Sequence, residues 1–312
     1  MIIAVTGSTG LVGKALVAAL EADGHLVRPL VRRAPRVEKN EIGWDPASGK
    51  IDAAELASVD AVVHLAGENI AAKRWTPAFK QAIRDSRIRG TNLLCQTLAG
   101  LATKPATLIS DSAIGYYGTR GDEPVDETTR PGTGFLADVC QQWEAATQPA
   151  RDAGIRVVNL RIGFVLAREG GGLAKMLTPF RLGLGGVIGS GRQYMSWIAL
   201  DDLVRTIQFL LTPSQGGTPG GSATSVGASL SGPVNATAPN PVTNREFTKT
   251  LGRVLGRPTV FPVPSFAARL AFGEMADDML VGGVRVIPKA LTAARFNFAY
   301  PDLDSALQHI LG

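Results

Sequence analysis

Near its start the chain runs Ile2-Ile3-Ala4-Val5 into glycines at positions 7, 10 and 13, then into Lys14-Ala15-Leu16-Val17-Ala18-Ala19-Leu20. An apolar strand that ends in a glycine turn and re-emerges as a helix restricts the fold more than any other stretch. Gly7 permits the sharp turn, Gly10 keeps the backbone bare so that a pyrophosphate can approach, and Gly13 lets helix and strand pack closely. The helix N-terminus then offers free N–H groups to the phosphates. Gly7, Ser8, Thr9, Gly10, Leu11, Val12 and Gly13 are therefore expected to form the phosphate side of a dinucleotide site.

With 312 residues, 45% of them hydrophobic and 19% charged, the chain can bury a full core and is not disordered as a whole. The net charge of +5 is scattered, with no basic stripe among aromatics, so nucleic acid is not an expected partner. Cys95 and Cys140 lie far apart and outside any C-x-x-C spacing, which suits a reducing compartment and predicts a cytoplasmic location. No run of about 18 apolar residues predicts a membrane span.

The first helix carries Val12, Leu16 and Leu20 and should stop at Asp23-Gly24; a second strand follows at Leu26–Val31, although Pro29 lacks a donor. After that strand an acidic residue would bind a ribose 2′-hydroxyl, whereas arginine accommodates a 2′-phosphate. Arg32 and Arg33 stand there, with Arg36 beyond, so NADP(H) is favoured over NAD, the alternative being a solvated basic turn. Ala61–Gly67 reads as a buried strand whose end, Leu65, Ala66, Gly67 and Glu68, approaches the cofactor, with His64 a core histidine.

Thr76-Pro77 opens a long helix with Ile83, Gly90, Leu94 and Leu98 as its inner stripe. Ala106–Ser112 reads as a strand ending in polar residues, at the edge where chemistry sits in such sheets. A helix is expected from Phe135 to Arg151 and a strand from Ile155 to Leu160. This alternation predicts an α/β fold, a Rossmann-type doubly wound parallel sheet, followed by a small C-terminal cap domain. The expected divisions are 1–165 for the core, 166–195 for a glycine-rich substrate-side excursion, 196–240 for a return to the core, and 241–312 for the C-terminal domain. Residues 213–232 read as a mobile Gly/Ser-rich insertion, Thr243 to Glu246 as a capping box, and Ser265 as a helix cap.

Taken together, Gly7-Ser8-Thr9-Gly10-Leu11-Val12-Gly13, His64-Leu65-Ala66-Gly67, Ser110-Asp111-Ser112 with Tyr116-Tyr117-Gly118, and Arg161-Ile162-Gly163 resemble the extended short-chain dehydrogenase/reductase superfamily. More narrowly, His64 to Ile70, Lys73-Arg74-Trp75, Ser86-Arg87-Ile88, Phe135-Leu136-Ala137 and Trp143-Glu144 look like its atypical epimerase-family branch. Pro262-Val263-Pro264, Gly273-Glu274, Val286-Ile287-Pro288 and Tyr300-Pro301-Asp302-Leu303 are similar to the small C-terminal domain of that branch. The resemblance implies hydride transfer at a nicotinamide, with Arg161 among the residues at the cofactor and Ser112 at the position of the serine that fixes the substrate carbonyl. It also implies a tyrosine acid/base whose pKa is lowered by a lysine four residues on.

That pair is missing. Tyr116, Tyr117, Tyr194 and Tyr300 have Arg120, Gly121, Ile198 and Asp304 four residues later, and with Glu144 as anchor the two positions hold Leu136 and Cys140. Three readings follow: Tyr116 or Tyr117 supplies the acid/base beside Ser112; the proton comes from substrate or water; or the protein is a catalytically weak NADP(H)-binding regulator. The two tyrosines can equally wall the pocket. Glu68, Lys73, Arg74 and Trp75 could hold an anionic or sugar-like substrate, or be a surface ion pair beside a packed indole. The expected partner is a small-molecule substrate, with a homodimer left open. A serine hydrolase is a poor third reading, since there is no G-x-S-x-G elbow and His25, His64 and His309 suggest no triad.

Overall fold

The computed structural model describes residues 1–212 and 226–312. Its strands are β1 (Ile2–Thr6), β2 (Leu26–Val31), β3 (Ile42–Asp45), β4 (Lys50–Ile51), β5 (Ala61–His64), β6 (Thr107–Ala113), β7 (Pro124–Val125), β8 (Arg156–Ile162), β9 (Phe164–Leu166), β10 (Tyr194–Met195), β11 (Trp197–Ala199), β12 (Gly232–Ala236), β13 (Val242–Thr243) and β14 (Arg285–Val286). The helices are α1 (Leu11–Ala22), α2 (Ala53–Leu56), α3 (Pro77–Gly100), α4 (Phe135–Ala145), α5 (Gln148–Asp152), α6 (Gly171–Arg181), α7 (Leu200–Leu211), α8 (Asn244–Val254), α9 (Ser265–Phe272), α10 (Lys289–Ala293) and α11 (Leu303–Leu311).

Among the described residues the main sheet runs β12-β8-β6-β5-β1-β2-β3-β4, parallel throughout except for the β3–β4 hairpin. From β1 the chain builds outward first through β2 and β3, then in the other direction through β5, β6 and β8. The reversal falls beside β1, and a doubly wound sheet opens its ligand crevice there. Both faces are buried, as a parallel sheet requires. Ile3, Val5, Val63, Ile109, Val158 and Leu160 pack with Leu16 and Leu20 of α1 and Leu203 and Ile207 of α7. Ala4, Val62, Leu108 and Val157 pack with Leu94 and Leu98 of α3. A separate core joins Leu173 and Leu177 of α6, Phe247 and Leu251 of α8, and Leu303 and Leu307 of α11.

The helix stop at Asp23-Gly24 stands, with Gly24 at φ 78°, and so does the Thr243–Glu246 capping box. Pro29 is tolerated because β3 pairs with β2 only at Leu30 and Val31. Two expectations need correction. The helix expected from Phe135 to Arg151 is two, α4 and α5, because Pro149 has no N–H to continue the ladder. Ser265 is the first residue of α9 rather than its cap, a place taken by Pro264 without a side-chain hydrogen bond. Of the expected insertion at 213–232, residues 213–225 lie outside the described residues; the remainder forms the short turn Val226–Ser229 and leads into β12.

His64 is a core histidine. Fully buried at the end of β5, it lies 2.8 Å from Thr6 Oγ1 through Nδ1 and 3.0 Å from Thr91 Oγ1 through Nε2. Thr6 Oγ1 already accepts the amides of Leu65 and Ala66, so its own proton goes to Nδ1, and Nε2–H donates to Thr91. The neutral ring thus ties β1, the β5 exit and α3 together. Burial pushes its pKa from 6.5 down to about 4. Between those values the unfolded chain binds the proton and the folded one does not, so stability falls as pH is lowered through that window. The full shift is worth about 3 kcal/mol. Denaturant titrations at pH 7 and pH 4.5 should show this acid-side loss, and His64→Gln should be less stable at pH 7 and lose less on acidification.

Candidate active site

The opening turn is closed by backbone alone. Gly7 adopts φ 66°, and a Cβ on it would lie 2.6 Å from Leu65 O; one on Gly13 would lie 2.1 Å from Gly7 O. Gly10 differs, since a Cβ there would meet only Gly7 O at 3.3 Å. Its bareness serves whatever approaches from outside. Gly10 is the N-cap of α1 and makes no side-chain capping bond, which leaves the helix N-terminus open to an anion. The structure thus brings Gly7–Gly13 against Leu65 and Ala66, with Gly67 exposed beside them. A phosphate-bearing dinucleotide fits this cradle.

At the end of β2 the three arginines are not equivalent. Glu41, almost fully buried, takes both Nη groups of Arg33, at 2.7 and 2.5 Å, together with Arg36 Nη2 at 3.0 Å and the Arg36 amide at 2.8 Å. Hydrogen bonds from Arg33 and then Arg36 hold its carboxyl well below the usual range. Arg32 is exposed and joins no hydrogen bond or ion pair among the described residues. With Arg33 and Lys50 it lines an open cleft of about 560 Å³ beyond β2 and β3. Glu41 escaped the sequence reading because its role depends on β3 lying beside β2.

Farther along the sheet edge, Arg161 of β8 is 2% exposed and grips Glu144 of α4 through Nε at 2.7 Å and Nη2 at 2.8 Å. Its Nη1 donates to the Tyr117 hydroxyl at 2.9 Å, and the Tyr116 ring covers the guanidinium at 3.4 Å. Burial pulls the Arg161 pKa down, but the bonds and charge of Glu144 outweigh this and raise it. Ser112, 1% exposed, donates its hydroxyl to Glu144 Oε1 at 2.8 Å. Tyr117 has no exposed surface; it donates to Asn235 Oδ1 at 2.7 Å, and burial pushes its phenol up to about 12 despite Arg161. Ser112, Tyr117 and Arg161 are therefore brought together inside the wall of the cleft, where none presents a polar group to it. Tyr116 is the partly exposed member.

Leu136 and Cys140 face the turn after β6, where a Cβ on Gly115 would lie 3.3 Å from Leu136 Cβ and 3.8 Å from Cys140 Sγ. Burial pushes the Cys140 thiol up to about 12. A cation does enter this region, but from α3. Arg87 donates to Glu68 O at 3.0 Å, and a Cβ on Gly67 would lie 3.2 Å from its Cζ. Trp75 is buried, with its indole N–H on Ile70 O, while Arg74 and Lys80 reach the C-terminal region at Leu270 O and Glu274. That group fastens α9 to the core.

Fold, glycine cradle and strand-end arginines define a dinucleotide-binding protein of the extended reductase type. Residues 3–227 match the NAD dependent epimerase/dehydratase family, and the chain belongs to that family. Residues 263–310 match a domain described as being of unknown function. The sequence is 49% identical over 306 residues to the epimerase family protein Mb2239 of Mycobacterium bovis, covering 98% of this chain and 96% of that one. The crystal structure of the human epimerase family protein SDR39U1 (isoform 2) with NADPH has a TM-score of 0.86 and 33% identity, covering 99% of each chain. A nucleoside-diphosphate sugar epimerase from Corynebacterium glutamicum has a TM-score of 0.78 and 38% identity, over all of this chain and 58% of that one. Among the described residues no helix is long and apolar enough to cross a membrane.

Two variants test this geometry. Glu144→Gln leaves the Arg161 charge buried without its partner and should cost roughly 3–5 kcal/mol in denaturant unfolding, with Arg161→Met/Glu144→Leu recovering much of it. Gly13→Ala forces the turn apart and should abolish dinucleotide binding measured by calorimetry, with a smaller loss of stability.

Proposed function

We propose that the protein is an NADP(H)-dependent oxidoreductase or epimerase-like enzyme acting on a small carbonyl or sugar-like molecule. The observation that carries the cofactor choice is Arg32, unpaired at the end of β2 while Glu41 occupies Arg33 and Arg36. A guanidinium with all its donors free at that strand end suits a ribose 2′-phosphate. The NADPH complex of human SDR39U1 supports the same choice. When bound, the cofactor supplies hydride chemistry. The chain supplies the backbone cradle at Gly7–Gly13, the cation at Arg32 and the strand-end loop Leu65–Glu68. Ser112, Tyr117 and Arg161 support the wall, and Tyr116 lines the pocket above Arg161.

A second reading, a catalytically weak NADP(H)-binding regulator, is favoured by Leu136 and Cys140 standing where a Tyr-Lys pair would be. NADPH oxidation across aldehyde, ketone and nucleotide-sugar panels separates the two: turnover supports the enzyme, and saturable binding without turnover supports the regulator. For the cofactor, fluorescence titration should show NADPH binding more tightly than NADH. Arg32→Ala should weaken NADPH about tenfold to a hundredfold, as expected for a charged hydrogen bond to phosphate, and leave NADH unchanged. Equal losses for both nucleotides would remove Arg32 from the 2′-phosphate.

A further inference from the structure

Large apolar side chains left in water are not scattered evenly over this molecule. Among the described residues nine are exposed, and six of them, Leu182, Leu184, Val260, Phe261, Phe266 and Leu270, come from two stretches, 182–184 and 260–270. The fold brings these stretches together. Ile188 pairs with Val263 as a parallel bridge, Val263 N–H donates to Val187 O, and Gly189 N–H donates to Val263 O, each bond 2.9 Å long. A Cβ on Gly186 would lie 1.7 Å from Phe261 O, and one on Gly183 would come within 4.0 Å of Pro258. Directly after this seam α9 begins, and Phe266 and Leu270, at four-residue spacing, share one face of it.

The inner side of the same region is packed. Val187 and Ala268 are buried, and Arg74 and Lys80 tie the end of α9 to the core at Leu270 O and Glu274. The outward side chains are therefore held in water by folded backbone. They are between 57% (Phe261) and 75% (Leu270) exposed, too open for a groove that would seat a peptide or a small ligand. A lone exposed apolar residue is ordinary, whereas a contiguous group marks a contact surface.

The charge beside the patch narrows the choice of contact. Residues 178–192 and 247–273 contain no Asp or Glu but hold Arg181, Arg192, Lys249, Arg253, Arg257 and Arg269. The acids that follow, Glu274 and Asp277, are taken by Lys80 and Arg269, and Arg253 is paired with Asp304. Arg181, next to Leu182, and Arg257, just before Pro258, are exposed and join no side-chain hydrogen bond or ion pair among the described residues. A second copy laid on this face by a twofold axis would set those cations against themselves. An anionic lipid surface suits both features, because apolar side chains enter the acyl boundary while arginines meet the phosphates above it.

We propose that the face formed by Leu182, Leu184, Val260, Phe261, Phe266 and Leu270 docks the folded protein on an anionic lipid bilayer, with Arg181 and Arg257 on the lipid phosphates. The protein lies on the bilayer and does not cross it. This contact needs neither cofactor nor turnover, so it stands apart from the NADP(H) reading.

The test is flotation of the full chain with vesicles at low salt. It should float with vesicles of phosphatidylcholine and phosphatidylglycerol, and bind about tenfold or more weakly to phosphatidylcholine alone or in high salt. Phe266→Ser/Leu270→Ser should weaken binding to the anionic vesicles about tenfold or more. Arg181→Gln/Arg257→Gln should weaken it about tenfold through charge alone. Both variants change exposed side chains and should keep the wild-type unfolding midpoint; the arginine pair carries the test even where the apolar pair perturbs folding. Failure to float with anionic vesicles overturns the proposal, as does flotation that neither variant weakens. Sedimentation equilibrium without vesicles checks the other occupant: a dimer that Phe266→Ser/Leu270→Ser dissociates would assign the face to a second copy and overturn the lipid contact.

Discussion

The ion pair between Arg161 and Glu144 is the interaction on which the rest of the cleft depends. A guanidinium and a carboxylate this deeply placed have given up most of their hydration, and only well-placed partners offset that cost. Here every branch of the guanidinium is used: Nε and Nη2 on Glu144, Nη1 on Tyr117, and its face under Tyr116. The bonds reach further. Ser112 brings in β6, and Tyr117 passes the connection to Asn235 on β12, whose Nδ2 donates to Ile287 O beyond β14. Asn235 N–H and Ala290 N–H both donate to Glu127 Oε1. One buried pair thereby sets the spacing of β6, β8, β12 and α4 and fixes the C-terminal region against them.

Such a network removes polar atoms from chemistry. Ser112 and Tyr117 are of the types a reductase uses on its substrate, yet their hydroxyls are committed inside the wall, where leaving either unpaired would cost about 1–3 kcal/mol. Among the described residues Arg32 at the β2 end stays exposed and unpaired, and Tyr116 is the partly exposed member beside the wall. The buried network gives the strand ends that carry the cleft their rigidity.

What was legible in the sequence was local. The glycine turn, the stop at Gly24, the Thr243–Glu246 capping box and the buried stripe of α3 each follow from neighbours within a few residues, and all stand as read. Pro149 was an equally local signal against one helix from Phe135 to Arg151. The side-chain partners at the site depend on tertiary pairing. The sequence shows three arginines after β2, but only the approach of β3 reveals that Glu41 takes two of them. It likewise shows Ser110-Asp111-Ser112 as a polar strand end. Which of the three looks into the cleft depends on strand register, and a shift of one residue exchanges the answer.

The departure at Leu136 and Cys140 follows from the position of Arg87. A lysine at 140 would have to place an ammonium within a buried space that already feels the Arg87 guanidinium, and two desolvated cations there would repel each other at low effective dielectric. A neutral thiol avoids that repulsion. Arg87 supplies the positive charge from α3, held by the carbonyls of Glu68 and Ile83 and by the face of Trp143. Cys140 and Arg87 are therefore linked: restoring a lysine at 140 without removing Arg87 would over-charge the site.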